Sequence, residues 1–326
     1  MLRLATAALL LASAPAWAAD YTIMAPAAPG GGWDQTARSM QAALVADGIS
    51  DKVEVVNAPG AGGTVGLIRF ARDSRGNPED LIVAGSVMVG AILVNHSPID
   101  LGRVTPIARL TGEQEAIVAP AMSPIRDIDD LIVMLKADPQ WVAWGGGSAG
   151  GVDHILAAKV ANAVGDPGIR RSDGSPPMSA VQINYVPHSG GGEVVAALRD
   201  NKVTVGVSGI GEFESEIKAG NLRVLAVSGE ERVPGVDAPT LKEAGIDVAL
   251  ENWRMVAAPP GLTEEQTAAI SADIAKLVGS EAWKKELEAH GWADRYLVGP
   301  EFEKQLAAEV IATRQVLIEL GLIKLN

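Results

Sequence analysis

Short apolar segments alternate with glycine-rich turns and amphipathic segments along most of the chain. The segment 21–24 is apolar and predicts a strand, and the next segment predicts a helix over 34–47, because Ala37, Met40 and Leu44 recur at helical spacing. A strand, a glycine turn and a helix follow one another again at 53–72, 141–160 and 181–199. Strands that alternate with helices pair in parallel through right-handed crossovers, so the pattern predicts an α/β fold.

The remaining segments extend this pattern without repeating any one sequence. We predict further strands at 81–85, 107–110, 116–120, 203–207, 223–227 and 252–258, and further helices at 128–137, 268–278, 281–290 and 301–320. Thr64 is placed as the N-cap of the second helix, and residues 85–90 are interpreted as a turn. The glycine-rich strand ends fall into two clusters, before and after about residue 107, which predicts two α/β lobes facing a cleft.

Residues 1–18 have the pattern of a secretory signal peptide. Arg3 precedes an apolar run at 4–12, and the sequence Ala-Trp-Ala at 16–18 provides a small-residue cleavage site. The alternative, a membrane anchor, needs a longer apolar run to cross a bilayer of about 30 Å. We therefore predict cleavage after residue 18 or 19 and an exported mature chain.

Composition narrows the range of partners. The chain of 326 residues is 48% hydrophobic and contains no cysteine, so apolar cores rather than disulfides must hold it together. Its formal net charge of −13 argues against nucleic acid and against an anionic membrane surface as partners. A small anionic ligand is compatible with this charge, because a local cluster of backbone amides can bind an anion inside an acidic protein.

The turn formed by Gly30, Gly31 and Gly32 is the strongest candidate for such a cluster. It lies between the first strand and the first helix, whose initial amides lack intrahelical partners and carry the positive end of the helix dipole. Glycines also let a bound anion approach the backbone closely. The alternative is an ordinary turn in which Asp34 only caps the helix. Trp33 is interpreted either as a wall of the binding pocket or as a core aromatic.

Hydroxyl groups near the other turns add candidate donors to the ligand. They belong to Thr64, Ser86, Ser148, Ser189 and Ser208. Each of them has the alternative role of a cap or turn residue. Ligands of open parallel sheets bind at the carboxyl ends of the strands, so these turns predict a crevice.

Motifs for catalysis and for cofactors are present only in partial form. Residues 146–150 match the G-x-S-x-G pattern of a serine esterase-like enzyme that uses Ser148, but His154 follows too closely, inside the next helix. The same stretch contains the G-x-G-x-x-G dinucleotide pattern, whose acidic partner falls in a polar loop instead of at a strand end. The four histidines are isolated, so no metal site is predicted. We expect a binding protein with no cofactor and no catalytic residues, rather than an enzyme.

Four motifs, taken together and in order, resemble those of a known family. They are APAAPGGGWD at 25–34, NAPGAGG at 57–63, NYVPHSGGGE at 184–193 and GNLRVLAV at 220–227. With the signal peptide before them, they resemble the periplasmic solute-binding proteins of tripartite tricarboxylate transporters over essentially the whole mature chain. Each motif alone is weak, whereas the ordered set is specific.

The resemblance implies a type II periplasmic-binding-protein fold, in which two α/β lobes, each a mainly parallel sheet flanked by helices, are joined by two crossovers. It implies a discontinuous first lobe at 19–107 plus 230–326 and a second lobe at 108–229. It also implies that two glycine turns grip a ligand carboxylate. The residues concerned are Ala28, Pro29, Gly30, Gly31, Gly32 and Trp33 in the first lobe, and Gly146, Ser148, Gly150 and Gly151 in the second.

Two departures from the family pattern bear on the ligand. Family members often carry a Ser-x-Gly-x-Gly-Ser pattern before the helix histidine, where this chain has glycines around Ser148. Many members that bind amino or hydroxy acids carry an aspartate where this chain has Ser208, which disfavours a ligand with an ammonium group. The sequence PHSGGGE at 187–193 is most similar to the tricarboxylate branch.

The resemblance therefore implies a di- or tricarboxylate ligand, with citrate as the first compound to test. It further implies that a monomeric periplasmic protein delivers this ligand to integral-membrane transporter subunits. The alternative is a binding protein that serves a sensory system instead of a transporter.

Overall fold

The computed structural model describes residues 20–165 and 182–324, so the predicted signal peptide at 1–18 lies outside the described residues. The strands are β1 (Tyr21–Ala25), β2 (Val53–Asn57), β3 (Asp80–Gly85), β4 (Thr105–Pro120), β5 (Ala143–Gly146), β6 (Asn184–Pro187), β7 (Val205–Gly209), β8 (Leu222–Val227), β9 (Glu251–Ala258) and β10 (Ala293–Val298). The helices are α1 (Gly32–Ala46), α2 (Thr64–Asp73), α3 (Ser86–Val94), α4 (Ile128–Ala137), α5 (Val152–Val164), α6 (Gly191–Arg199), α7 (Ile210–Lys218), α8 (Glu264–Gly279), α9 (Glu281–His290) and α10 (Gly299–Glu319). Among these described helices, none combines the length and the apolar character needed to cross a bilayer.

β4 is one strand of 16 residues that belongs to both lobes. Its first part pairs antiparallel with β9 and β10, and its second part pairs antiparallel with β7 and β8. The sequence predicts two separate strands here, at 107–110 and 116–120, because polar residues interrupt the apolar pattern between them. Among those polar residues, Glu113 and Glu115 are buried. β4 therefore carries the chain directly from one lobe to the other.

The parallel strands place their carboxyl ends at the junction between the lobes. The strand order is β2-β1-β3-β9-β4 in the first lobe and β4-β7-β5-β6 in the second. Parallel pairing joins β1 to β2 and β3, and it joins β5 to β6 and β7. Each of these strands leads into a helix, through a turn after β1, β2, β5 and β6 and directly after β3 and β7, so the strand ends of both lobes face a common space.

Separate hydrophobic cores define the two lobes. One core combines residues from 21–110 with residues from 253–306, and two smaller clusters lie within 116–248. Leu241, Ile246 and Val248 belong to the second-lobe core, although the sequence-based boundary assigns them to lobe one. We therefore propose that lobe two extends to about residue 250, where the chain enters β9.

Two elements besides β4 differ from the sequence-based prediction. α3 is a helix where the sequence predicts a turn, because nearly all of its residues are apolar and it shows no polar face from which a helical period could be read. It packs Met88 and Val89 into the first core, and its end contacts Ile155 of lobe two through Leu93. β10 is a short edge strand on β4 that the sequence analysis missed.

Candidate ligand-binding site

A cleft of about 370 Å³ opens between the two lobes. Its walls come from the turns that follow the parallel strands, together with single residues of the neighbouring helices and strands. The lining consists of 26–27, 32–33, 59–63, 147–149 and 187–190, with Val87, Asn95, Asp153, Glu193, Ser208, Glu212, Asn252 and Arg254. A space of this size suits a small metabolite.

The first glycine turn uses several of its own amides internally. The Gly30 amide donates to Asp34 Oδ2 at 2.8 Å, and the Gly31 amide donates to the Ala28 carbonyl at 3.1 Å. These bonds shape the turn, so the two amides cannot also bind a ligand without breaking them. The cleft lining does not include four residues of this turn that the resemblance predicts as ligand contacts, namely Ala28, Pro29, Gly30 and Gly31.

Two amides at the start of α1 lie in the right place for an anion. The first bond of the helix runs from the Gln35 amide to the Gly31 carbonyl at 2.9 Å. The amides of Gly32 and Trp33 precede that bond and therefore have no intrahelical acceptor. Both residues line the cleft. The predicted anion-binding turn is thus reduced to the first residues of the helix.

Asp34 holds this turn from inside the helix. The N-cap of α1 is Gly31 rather than Asp34. The Asp34 carboxylate accepts hydrogen bonds from the Gly30 amide, Arg38 Nε and Asn57 Nδ2 at 2.8 to 3.1 Å. Burial raises the pKa of Asp34, but these bonds outweigh burial and hold the pKa below its ordinary value. Asp34 is therefore ionised and fixes the turn to β2.

The second glycine turn forms another wall of the cleft through residues 59–63. A methyl group added at Gly63 would lie 2.7 Å from Cζ3 of Trp33, so the indole packs directly on the glycine. Trp33 is therefore both a buried aromatic and part of the wall. Thr64 lies behind the wall: its hydroxyl donates to the Ala61 carbonyl at 2.9 Å, and Gly63 is the N-cap of α2.

The turn after β5 contributes residues 147–149 to the cleft. The Gly150 amide donates to His154 Nδ1 at 3.1 Å, and the Gly151 amide donates to the Ser148 carbonyl at 2.9 Å. These two amides therefore shape the turn. Gly146, Gly150 and Gly151 were predicted as ligand contacts, and they lie outside the lining, whereas Ser148 lies within it.

His154 has a structural role. Its ring stacks on Tyr185 with the ring centroids 4.0 Å apart, and its Nδ1 accepts the Gly150 amide. Burial lowers the pKa of His154 to about 4, so the imidazole is neutral at physiological pH. Because this nitrogen is already bonded, His154 does not serve as a base for Ser148.

The predicted hydroxyl groups divide into two sets. Ser148, Ser189 and Ser208 line the cleft. Ser86 does not, because its hydroxyl donates to Asn252 Oδ1 at 2.8 Å and its side chain borders a separate cavity. Ser208 donates to Glu212 Oε1 at 2.9 Å. A carboxylate therefore lies beside Ser208 although the family aspartate is absent there.

Glycines let the two lobes touch at the cleft. A methyl group at Gly190 would lie 3.4 Å from the Cα atom of Gly31, and one at Gly62 would lie 3.1 Å from the Cβ atom of Ser148. The first glycine turn therefore faces the 189–190 turn, and the second faces the 146–151 turn. The resemblance described above instead predicts that the first turn is opposed by residues 145–151.

A buried ion pair lies beneath the cleft and was missed from the sequence. Arg254 on β9 donates through Nη2 to Glu113 on β4, and both side chains are almost fully buried. Arg254 also lies over the Trp292 ring, 5.0 Å from its centroid. The sequence contains a signal for one partner only, because Arg254 lies inside a predicted apolar strand whereas Glu113 lies between two predicted strands.

Two further acids reach the cleft. Glu212 Oε2 accepts the Gly191 amide at 2.8 Å, and Asp153 Oδ2 accepts the Gly147 amide at 2.5 Å. Burial raises the pKa of Glu212 to about 7 and that of Asp153 to about 6. Across residues 20–165 and 182–324, no group of three or more His, Cys, Asp or Glu side chains is arranged to hold a metal ion.

The chain is similar in sequence to known receptors. The sequence model of the family described as the tripartite tricarboxylate transporter family receptor matches residues 36–322. Protein BugT of Bordetella pertussis (strain Tohama I) is 26% identical over 274 residues, which are 82% of this chain and 79% of BugT.

Two solved structures show the same fold. The periplasmic binding protein BugD superimposes with a TM-score of 0.80 at 18% identity, covering 94% of this chain and 99% of BugD. MatC of Rhodopseudomonas palustris, solved with bound malate, superimposes with a TM-score of 0.71 at 23% identity, covering 93% of this chain and 96% of MatC. The two-lobed α/β fold expected from the sequence is therefore confirmed. The chain belongs to the tripartite tricarboxylate transporter receptor family, whose members are solute-binding receptors rather than enzymes.

Proposed function

We propose that this protein is a periplasmic receptor that captures a small di- or tricarboxylate in the cleft and delivers it to the membrane subunits of a tripartite tricarboxylate-type transporter. The observation that carries the proposal is the start of α1. Its first amides, at Gly32 and Trp33, line an interlobe cleft of about 370 Å³. Amides at a helix start, together with the helix dipole, bind a carboxylate.

The opposite wall supplies the groups that hold the other end of the ligand. Ser148 and Ser189 line the cleft from lobe two and bring hydroxyl groups to it. A ligand that contacts α1 and these groups at once bridges the lobes, so it stabilises the arrangement in which they touch. This two-sided binding favours a molecule with polar groups at both ends over a monocarboxylate with an apolar tail.

The malate bound to MatC supports a short dicarboxylate as the ligand class. Citrate remains in the proposal because of the PHSGGGE sequence at 187–193. The acids near the cleft make a shorter, less charged compound the better match, since a third carboxylate would lie close to Asp153 or Glu212. We therefore rank succinate and L-malate before citrate and tricarballylate.

The test is isothermal titration of the chain from residue 20 onward with these four carboxylates, accompanied by thermal unfolding. A ligand present at about 100 times its dissociation constant is expected to add about 2.7 kcal/mol to the free energy of unfolding. Succinamide, which keeps the length of succinate but lacks its charges, is the matched control and should give no heat. Heat with a neutral amino acid such as L-leucine, and with none of the carboxylates, would contradict the proposal.

Delivery requires a separate measurement. Vesicles that hold the membrane subunits of a tripartite tricarboxylate-type transporter should take up the carboxylate only when the receptor is added. We propose that it acts as a monomer, which sedimentation of the loaded protein checks. Tight binding without any receptor-dependent uptake would instead favour a sensory role.

A further inference from the structure

Acidic side chains outnumber basic ones around the cleft, which is unfavourable for an anionic ligand. Three acids line the cleft, namely Asp153, Glu193 and Glu212, and Arg254 is the single Lys or Arg side chain in the described lining. Arg254 donates through Nη2 to the buried Glu113, and its Nη1 is left without a hydrogen-bond partner among the described residues. A dicarboxylate that enters this space therefore brings two more negative charges to a region that is already acidic.

Glu212 is the acid best placed to respond to the ligand. Its carboxylate lies on α7 at the start of the helix, and both oxygens are oriented by bonds: Oε1 accepts the Ser208 hydroxyl at 2.9 Å and Oε2 accepts the Gly191 amide at 2.8 Å. The side chain lines the cleft and is only partly exposed. A carboxylate so placed lies beside any ligand that spans the lobes.

A second observation indicates that this region already holds a proton. Glu115 on β4 is completely buried, and neither of its carboxyl oxygens has a hydrogen-bond partner of ordinary geometry. Burial, with Asp153, Glu113 and Glu212 nearby, raises the pKa of Glu115 well above its ordinary value. The side chain of Asn252 opposes this shift only in part, so burial favours the protonated form of Glu115, which cannot accept a further proton.

We propose that the cleft takes up a proton together with its anionic ligand, and that Glu212 is the group that receives it. The protonated Glu212 then donates a hydrogen bond to a ligand carboxylate, where the ionised form would repel it. This inference rests on the proposed function, because it requires a carboxylate ligand. It assigns a selective role to Glu212, which nothing in the sequence pattern indicates.

The surroundings of Glu212 explain why its pKa lies near neutral pH. The charged and titratable groups facing it are Glu113 and Glu115 from β4, Asp153 from α5, Arg254 from β9, and His188 and Glu193 from the segment around the start of α6. Burial is the largest cause of the raised pKa of Glu212, about 7, with Glu113 and Asp153 adding to it and the Gly191 amide and Arg254 opposing it. A ligand carboxylate acts in the same direction as the acids and raises this pKa further.

The experiment measures protons directly. L-malate and succinate are titrated into the protein between pH 7 and 8.5, in two buffers that differ in ionisation enthalpy. Ligand carboxyls are ionised throughout this range, so any uptake belongs to the protein. We expect uptake approaching one proton per ligand, and a dissociation constant that rises by up to about tenfold per pH unit.

Two variants locate the proton. Glu212→Gln mimics the protonated side chain, so it should bind L-malate with little change between pH 7 and 8.5 and with no proton uptake. Glu214→Gln is the matched control, because Glu214 lies on the same helix but is exposed and paired with Lys218. It should behave as the wild-type protein does.

The outcomes separate this inference from the proposed function. If none of the carboxylates binds at any pH, the proposed function fails and the inference fails with it. If they bind with no proton uptake and a constant affinity, the inference alone is overturned. Uptake that persists in Glu212→Gln overturns the assignment to Glu212. L-aspartate could also bind more tightly than succinate and without proton uptake. The ligand's own ammonium group would then supply the compensating positive charge, and the inference would be overturned.

Discussion

Asp34 shows how one side chain prepares the anion-binding end of α1. By accepting the Gly30 amide, it removes from the cleft an amide that the sequence analysis had assigned to the ligand. It also ties the turn to Asn57 at the end of β2. The amides of Gly32 and Trp33, which we propose bind the ligand, are thus positioned by an acid that lies outside the cleft lining.

Replacing Asp34 by alanine should therefore loosen the turn. The substitution leaves the Gly30 amide without its acceptor and removes one of the two acceptors of Asn57 Nδ2, so we expect the free energy of unfolding to fall by about 2 kcal/mol. Urea denaturation followed by circular dichroism measures the change. Asp73→Ala is the control, since Asp73 pairs with Arg72 at the surface, and its effect should stay within about 0.5 kcal/mol. Equal effects of the two substitutions would show that Asp34 does not hold the turn.

At the scale of elements, α3 is the part of lobe one that approaches lobe two most closely. A methyl group at Gly90 would overlap the carbonyl oxygen of Gly150. The helix therefore reaches the 150–151 turn only because position 90 lacks a side chain. Close contact between the lobes depends on this glycine, as it does on Gly62 and Gly190.

Gly90→Ala should hold the lobes apart. Overpacking of this kind costs about 1 to 3 kcal/mol, which corresponds to a loss of about tenfold or more in ligand affinity. Small-angle scattering at saturating ligand should show a larger radius of gyration than in the wild-type protein. Gly192→Ala on α6 is the control, because its methyl group would enter open space and alanine favours the helix. Unchanged affinity in Gly90→Ala would mean that ligand binding does not require this contact.

For the whole molecule, the buried acids link stability to pH. The pKa of Glu212 is raised by burial from 4.5 to about 7, and that of Asp153 from 3.8 to about 6. At a pH between the ordinary and the raised pKa of each acid, the native chain keeps a proton that the unfolded chain has released. The contribution of these acids to the free energy of unfolding therefore decreases as the pH rises from about 5 to 7.5.

The variant Glu212→Gln measures how much Glu212 contributes to this decrease in the free energy of unfolding. Compared with the wild-type protein, the variant should lose less stability between pH 5 and 7.5, with a difference on the order of 2 kcal/mol over that interval. Chemical denaturation at each pH, without ligand, measures it. Surface carboxylates titrate in both proteins and cancel in the comparison. Parallel pH profiles for the two proteins would show that Glu212 titrates at its ordinary value.

The sequence by itself determined the α/β class, the two lobes and the family. These follow from local patterns: the spacing of apolar residues identifies strands and helices, and the glycine motifs identify the turns between them. Near the strand ends that the sequence identifies, the cleft lining includes Ser148, Ser189, Ser208, Gly32 and Trp33, and their contact with a ligand stays a prediction. The sequence of neighbouring residues is enough to assign a residue to a turn at a strand end.

Only the tertiary structure decided which groups line the cleft and which of their amides are free of internal bonds. Whether the Gly30 and Gly150 amides are available depends on Asp34 and His154, whose side chains turn back on them. The encounter of Glu113 with Arg254 depends on the pairing of β4 with β9, which brings together residues 141 positions apart. Spacing along the chain carries no information about such pairs, because the topology of the folded sheet, rather than any local pattern, sets the distance between them.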